Sequence, residues 1–246
     1  MSIGSERDLV GLRAAGRAVA DALAEMRQAV RPGVTTRELD ELGAEVFARH
    51  GARSAPRLVY GFPGVNCISV NEEAVHGIPS GRELRDGDLV TLDATAELDG
   101  YMADAAITVA AGEAAPRAQA LCEAADRALD RALRVVRDGV RVNAVGRVIQ
   151  AEVTEAGFSV IPALSGHGIG QTIHEPPTVP NYFDAYDTTV LTEGLVLTIE
   201  PVIAAGGGDV VLRDDGWTVA TADRSLVAHA EHTIVVTRGE PLVLTA

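Results

Sequence analysis

The feature that most restricts how this 246-residue chain can fold is that its pattern occurs twice. Gly33 and Gly139 stand 106 positions apart, as do Gly51 and Gly157. The run Gly87-Asp88-Leu89-Val90-Thr91-Leu92-Asp93 matches Gly194-Leu195-Val196-Leu197-Thr198-Ile199-Glu200 at an offset of 107, and a carboxylate ends both copies. Each copy opens with two helical stretches. After Ser5, the residues Leu9, Leu12, Ala15, Val19, Ala20, Leu23 and Met26 recur with helical periodicity until Arg31-Pro32-Gly33 stops them. Thr35-Thr36-Arg37-Glu38 has the spacing of a capping box, and Leu39, Leu42, Val46 and Phe47 form the apolar stripe of a second helix ending at Gly51. Strands are then predicted over Val65 to Val70, Leu89 to Asp93 and Tyr101 to Ala110, with Asp99-Gly100 as a hairpin turn. The order returns with helical periodicity from about Arg117 to Val136, a break at Asp138-Gly139, a helix running to Gly157, and further strands. The expectation is an α/β (α+β) chain, 1–246, forming a single catalytic domain. Its two pseudo-symmetric αα-β halves, approximately 5–110 and 117–240, share a central antiparallel sheet and each bring an acid to the middle. Two unrelated α+β segments with helices of similar length are the competing interpretation.

The hairpin allows a sharper statement. With Asp99-Gly100 as a two-residue loop, Asp93 faces Ala106, and Asp104 lies one diagonal step away on the same face. Diagonal neighbours sit about 7–8 Å apart at the backbone, close enough for two carboxylates to reach one cation. Without a cation they would repel, and one would have to bind a proton. Glu200 closes an apolar strand and Glu231 opens another, positions where a buried side chain is normally apolar. His167 lies in Gly166-His167-Gly168-Ile169-Gly170, where glycines permit close backbone approach and the imidazole offers a neutral nitrogen ligand. Any one of these acids alone reads as a capping residue, a turn residue or a solvated strand end. Together, four carboxylates and one histidine form an oxygen-rich set that suits Mn, Fe, Co or Mg, and two cations about 3.5–4 Å apart would fit the ligand count.

Composition narrows the chemistry. All 21 basic residues are Arg, so a lysine Schiff base, a P-loop lysine and a lysine general base are excluded. The formal charge of -14 argues against a stable nucleic-acid partner or an anionic membrane. Met1 to Asp8 carries Glu6 and Asp8 without an apolar run of signal-peptide length, and no stretch of about 18 apolar residues follows, so a cytoplasmic location is expected. Cys67 and Cys122 fit neither a disulfide framework nor a CxxC metal clip. His50, at a helix end, reads as solvated, and His229 and His232 flank Glu231 without an assigned role. His76 and His174 differ, because each sits in a Gly/Pro-rich loop between strands, where function concentrates.

The ordered set His76-Gly77-Ile78-Pro79, Asp93, Asp104, Gly166-His167-Gly168-Ile169-Gly170, His174-Glu175, Ile199-Glu200-Pro201 and Glu231-His232-Thr233 resembles type I methionine aminopeptidase over about residues 5 to 240. The resemblance implies the pita-bread fold around a dinuclear metal centre, with Co, Mn or Fe, or alternatively Zn or Mg. It implies that Asp93, Asp104 and Glu231 bind one metal, and that Asp104, His167, Glu200 and Glu231 bind the other. It further implies that Glu200 shuttles a proton, that His76 and His174 contact the scissile amide, and that Phe62, Cys67 and Trp217 line or adjoin the methionine pocket. The substrate would be the N-terminal peptide of a nascent protein, met by a monomer that contacts the ribosome only in passing.

The chain departs from the family pattern at Gln171-Thr172-Ile173, Val59 and Pro56, which bears on strictness for methionine more than on hydrolysis. X-Pro aminopeptidases and prolidases of the same fold usually carry an extra N-terminal domain, for which a repeat starting almost at Met1 leaves no room. A non-catalytic binding module would be expected to lack some ligands, whereas all five are present. A serine-nucleophile reading fails because no serine sits in a nucleophile elbow.

Overall fold

A computed structural model describes all 246 residues. Ser5 accepts the Asp8 N–H and opens α1 (Glu6–Ala29), which buries Leu12, Ala15, Val19, Ala22 and Met26 on one face. Thr35 and Glu38 form the expected reciprocal capping box at the start of α2 (Thr36–His50), and Gly51 closes that helix in the left-handed conformation. A short helix, α3 (Ala55–Tyr60), follows where none is expected from periodicity; Ser54 caps it and Pro56 sits in its first turn. The second half contains α4 (Pro116–Val135) and α5 (Val142–Glu155). One large apolar cluster lies under α1 and α2, centred on residues such as Phe47, Ile68 and Leu92, and a second lies under α4 and α5 around Leu121, Ile149 and Ile199. No helix is long and apolar enough to cross a membrane.

The duplication extends to single bonds. Gly33 and Gly139 have φ of 87° and 83°, Gly51 and Gly157 have 70° and 78°, and Gly87 and Gly194 have 85° and 84°. These are backbone angles that side chains rarely tolerate, which explains why glycine holds both copies of each position. The Gly33 N–H donates to Leu84 O at 2.8 Å as Gly139 N–H donates to Leu191 O at 2.9 Å. Gly87 N–H donates to Ala111 O and Gly194 N–H to Val236 O, both at 2.8 Å.

The strands Asp88–Leu98 and Tyr101–Ala111 form the long hairpin, antiparallel throughout, with Asp93 opposite Ala106 and Thr95 opposite Asp104 as the turn length requires. The Cys67–Val70 strand flanks Asp88–Leu98 and places Cys67 opposite Asp93. In the second half, Val196–Ile199 pairs with His232–Val235 on one side and Ser165–Gly168 on the other, and Leu242–Val243 and Glu175–Pro180 form the two edges of that sheet. The central antiparallel layer is therefore two ladders meeting at a seam, rather than one unbroken sheet. Across the seam Glu231 N–H donates to Ala106 O at 2.9 Å. On either side of it threonine hydroxyls bridge the strands: Thr233 with the backbone of Asp104, and Thr108 with the backbone of His229. Side chains replace ladder bonds there, and the residues standing between them are the acids.

Candidate metal centre

Each acid is placed by a local rule. The pleat turns Asp93 and Asp104 to the same face of the hairpin, with Thr95 directly opposite Asp104 on that face. Glu200 follows the buried strand Val196–Ile199, and Thr198 Oγ1 donates to its Oε1 at 2.8 Å. The same hydroxyl accepts the His167 N–H at 3.0 Å, tying two further members of the cluster together. His167 follows Gly166 and precedes Gly168, and a Cβ on Gly168 would collide with the Pro176 carbonyl, so no larger residue fits beside the imidazole. Asp40 accepts the backbone N–H groups of Val65 and Asn66, anchoring the entry to the Cys67–Val70 strand behind Asp93.

The ligand atoms of Asp104, His167 and Glu231 lie within 4.8 Å of one another, and His167 Nε2 is 3.5 Å from Glu200 Oε1. Asp93, Asp104 and Glu200 crowd the same volume. Desolvation raises all four carboxyl groups, and repulsion from neighbouring carboxylates adds to it at Asp93, Glu200 and Glu231; Asp104 is pushed up to about 7, while Asp93, Glu200 and Glu231 are raised well above the usual carboxylate range. Burial lowers His167 to about 4, leaving a neutral imidazole. Asp104 Oδ1 and Glu231 Oε1 are buried without any hydrogen-bond partner. Orphaned carboxylate oxygens in a cluster of like charges are what divalent cations would satisfy, so the donor set fits a metal centre.

The cluster forms one wall of a cavity of about 670 Å³. The same cavity is lined by His76, His174, Phe62, Cys67 and Trp217, so the expected metal ligands and these five residues share one space. Phe62 and Trp217 meet edge to face at 5.3 Å, and burial raises the Cys67 thiol, which stays protonated. His76 adopts a positive φ of 59°, uncommon for a side chain larger than glycine; the neighbouring Gly77 is pinned by its N–H to Ser69 and its carbonyl to the Ile68 N–H. The rings of His76 and His174 open to the cavity but are crowded by protein, and desolvation lowers both.

Three placements differ from expectation. Val59 is 46% exposed and absent from the lining, because α3 turns it outward, whereas Pro56 and Tyr60 of the same helix line the cavity. His50 pairs with Asp21 at 2.8 Å across α1 and α2 instead of standing free in solvent. His229, left without a role, is 2% exposed in the cavity wall, with Nε2 3.5 Å from Glu231 Oε2 and 3.9 Å from Glu200 Oε2, and both ring nitrogens lack a hydrogen-bond partner. The signal for His229 was present but displaced. Thr108 contacts the His229 backbone as Thr233 contacts that of Asp104, which makes His229 the counterpart of Asp104 at an offset of 125, not 107.

Comparison with known proteins agrees with this architecture. Residues 10–238 match the family model of metallopeptidase family M24. A relative named methionine aminopeptidase 2 from Bacillus subtilis is 43% identical, covering 100% of this chain and 99% of its own length. The crystal structure of methionine aminopeptidase from Thermotoga maritima superposes with a TM-score of 0.96 at 37% identity, covering 100% of this chain and 99% of that one. Prolidase from Pyrococcus furiosus shares the fold at a TM-score of 0.80 and 22% identity, but this chain covers 65% of it. A duplicated αα-β chain with an acid-rich centre at its seam, matched end to end by such relatives, belongs to metallopeptidase family M24, among the methionine aminopeptidases.

Proposed function

We propose that this chain removes the N-terminal methionine of newly made proteins by hydrolysing their first peptide bond, using two divalent cations. Asp93, Asp104 and Glu231 would hold one cation, and Asp104, His167, Glu200 and Glu231 would hold the other. The supporting observation is the convergence of Asp104, His167 and Glu231 ligand atoms within 4.8 Å, with buried carboxylate oxygens lacking partners. The oxygen-rich donor set favours Co, Mn or Fe, with Zn and Mg as further candidates. When bound, the cations supply positive charge that polarises a carbonyl and acidifies water.

The chain's own residues do the rest. Glu200, steadied by Thr198, accepts a proton from the attacking water and passes it to the leaving amine. His174 donates to the scissile oxygen as negative charge develops there, and His76, fixed in its strained conformation, orients the amide. Phe62, Cys67 and Trp217 offer an apolar recess with aromatic edges, suited to a thioether side chain. The enzyme works as a cytoplasmic monomer on the N-terminal peptides of nascent chains, near the ribosome only in passing, and its charge of -14 disfavours stable nucleic-acid binding.

The test is methionine release from the peptide Met-Ala-Ser, with and without a chelator, alongside an X-Pro dipeptide. Release that is abolished by chelation and restored by added cation is expected. No metal-dependent release from Met-Ala-Ser would remove the proposal.

A further inference from the structure

Two imidazoles, His167 and His174, face the cavity with their ring centres 4.2 Å apart, and each gives its Nδ1 to a different kind of partner. His167 Nδ1 lies 2.9 Å from the carbonyl oxygen of Gly168. A carbonyl can only accept, so Nδ1 carries the proton and Nε2 keeps the lone pair a cation needs. His174 Nδ1 lies instead 2.6 Å from the phenol oxygen of Tyr60. A phenol O–H is the stronger donor of the pair and an imidazole nitrogen the stronger acceptor, so Tyr60 donates and the His174 proton resides on Nε2.

We propose that Tyr60 is a positioning residue that holds His174 in the Nε2–H tautomer, the form able to donate to the scissile carbonyl oxygen, while Gly168 holds the adjacent His167 in the opposite tautomer. Neighbouring rings of the same residue type thereby take opposite roles, one a lone-pair ligand and the other a proton donor. Desolvation lowers the pKa of His174 and raises that of Tyr60, so both groups stay neutral near pH 7. The anchoring of α3 supports the arrangement. Ser54 Oγ accepts the Arg57 N–H and donates to Val65 O at 2.6 Å, Arg57 donates to Pro63 O at 2.8 Å, and Gly61 ends the helix immediately after Tyr60. The backbone of Tyr60 is thus fixed although its side chain is 49% exposed. The rings of Tyr60 and His174 are 5.7 Å apart and tilted by 40°, so they meet through the hydroxyl and not by stacking.

The catalytic meaning of this assignment rests on the aminopeptidase reading; its geometric content does not. The experiment is Tyr60→Phe in full-length protein loaded with Zn²⁺, a diamagnetic cation, with the His174 ring nitrogens followed by ¹⁵N NMR and Met-Ala-Ser hydrolysis measured in parallel. Wild type is expected to show a protonated Nε2 and a hydrogen-bonded, unprotonated Nδ1. In Tyr60→Phe the Nδ1 resonance should move toward a tautomer mixture, and kcat should fall about tenfold with KM little changed. A protonated Nδ1 in wild type, resonances unmoved by the substitution, or an unchanged kcat despite moved resonances would each overturn it. Wild-type protein that releases no methionine would defeat the aminopeptidase reading instead, and the spectrum would still decide the tautomer.

Discussion

Thr233 Oγ1 accepts the Asp104 N–H at 2.8 Å and donates back to the Asp104 carbonyl at 2.7 Å. One hydroxyl in the second half thereby fixes the backbone of a proposed metal ligand in the first, and Thr108 does the same for His229 in the reverse direction. The metal centre is consequently assembled by the seam, not by either ladder alone.

Thr233→Val keeps the shape of the side chain but leaves a buried N–H and a buried C=O without partners. A loss of roughly 2–4 kcal/mol is expected by urea denaturation, with weaker cation binding by calorimetry, while Thr233→Ser should restore most of both.

Neutralising the cluster should separate stability from activity. In the metal-free protein Asp104→Asn removes one of several crowded charges, so the apo form is expected to melt at a higher temperature than wild type at pH 8. Methionine release should fall about a hundredfold or more. An apo variant less stable than wild type would contradict the crowding argument.

The pH dependence of metal-free stability has a definite sign between about pH 6.5 and 8. Below that window two effects oppose each other: the depressed histidines, His167 at about 4 and His229 at about 3, make stability rise with pH up to the ordinary histidine range, while the raised acids already make it fall from the ordinary carboxylate range upward. Within the window only the raised acids remain. The native state there holds protons that the unfolded state has lost, so stability falls with pH; the Asp104 contribution ends as it titrates at about 7, and those of Asp93, Glu200 and Glu231 continue above it. Thermal melts in chelator should show this decline, and added Co²⁺ or Mn²⁺ should abolish it.

His229→Leu removes a neutral imidazole that stands between Glu200 and Glu231. Cation affinity measured by calorimetry should drop about tenfold, and His229→Gln, which retains an N–H donor, should lose less. Equal affinity in the leucine variant would reduce His229 to wall packing.

Much of this protein was legible from residue order alone, because the relevant physics is local. The capping box of α2, the paired glycines at each helix end, and the register that puts Asp93 opposite Ala106 and Thr95 opposite Asp104 all follow from spacing within a few residues. The repeat and the acid closing each copied strand likewise pointed to a shared centre. What remained hidden depends on contacts between distant residues. The offset between the halves is 107 at Asp93 and Glu200 but 125 at Asp104 and His229, so the counterpart of a ligand could not be found by counting. Tyr60 meets His174 across 114 positions through a short helix that has too few turns to reveal a period. Local hydrogen-bond geometry and periodicity set the elements, and only packing the two halves face to face decided which side chains share the buried space between them.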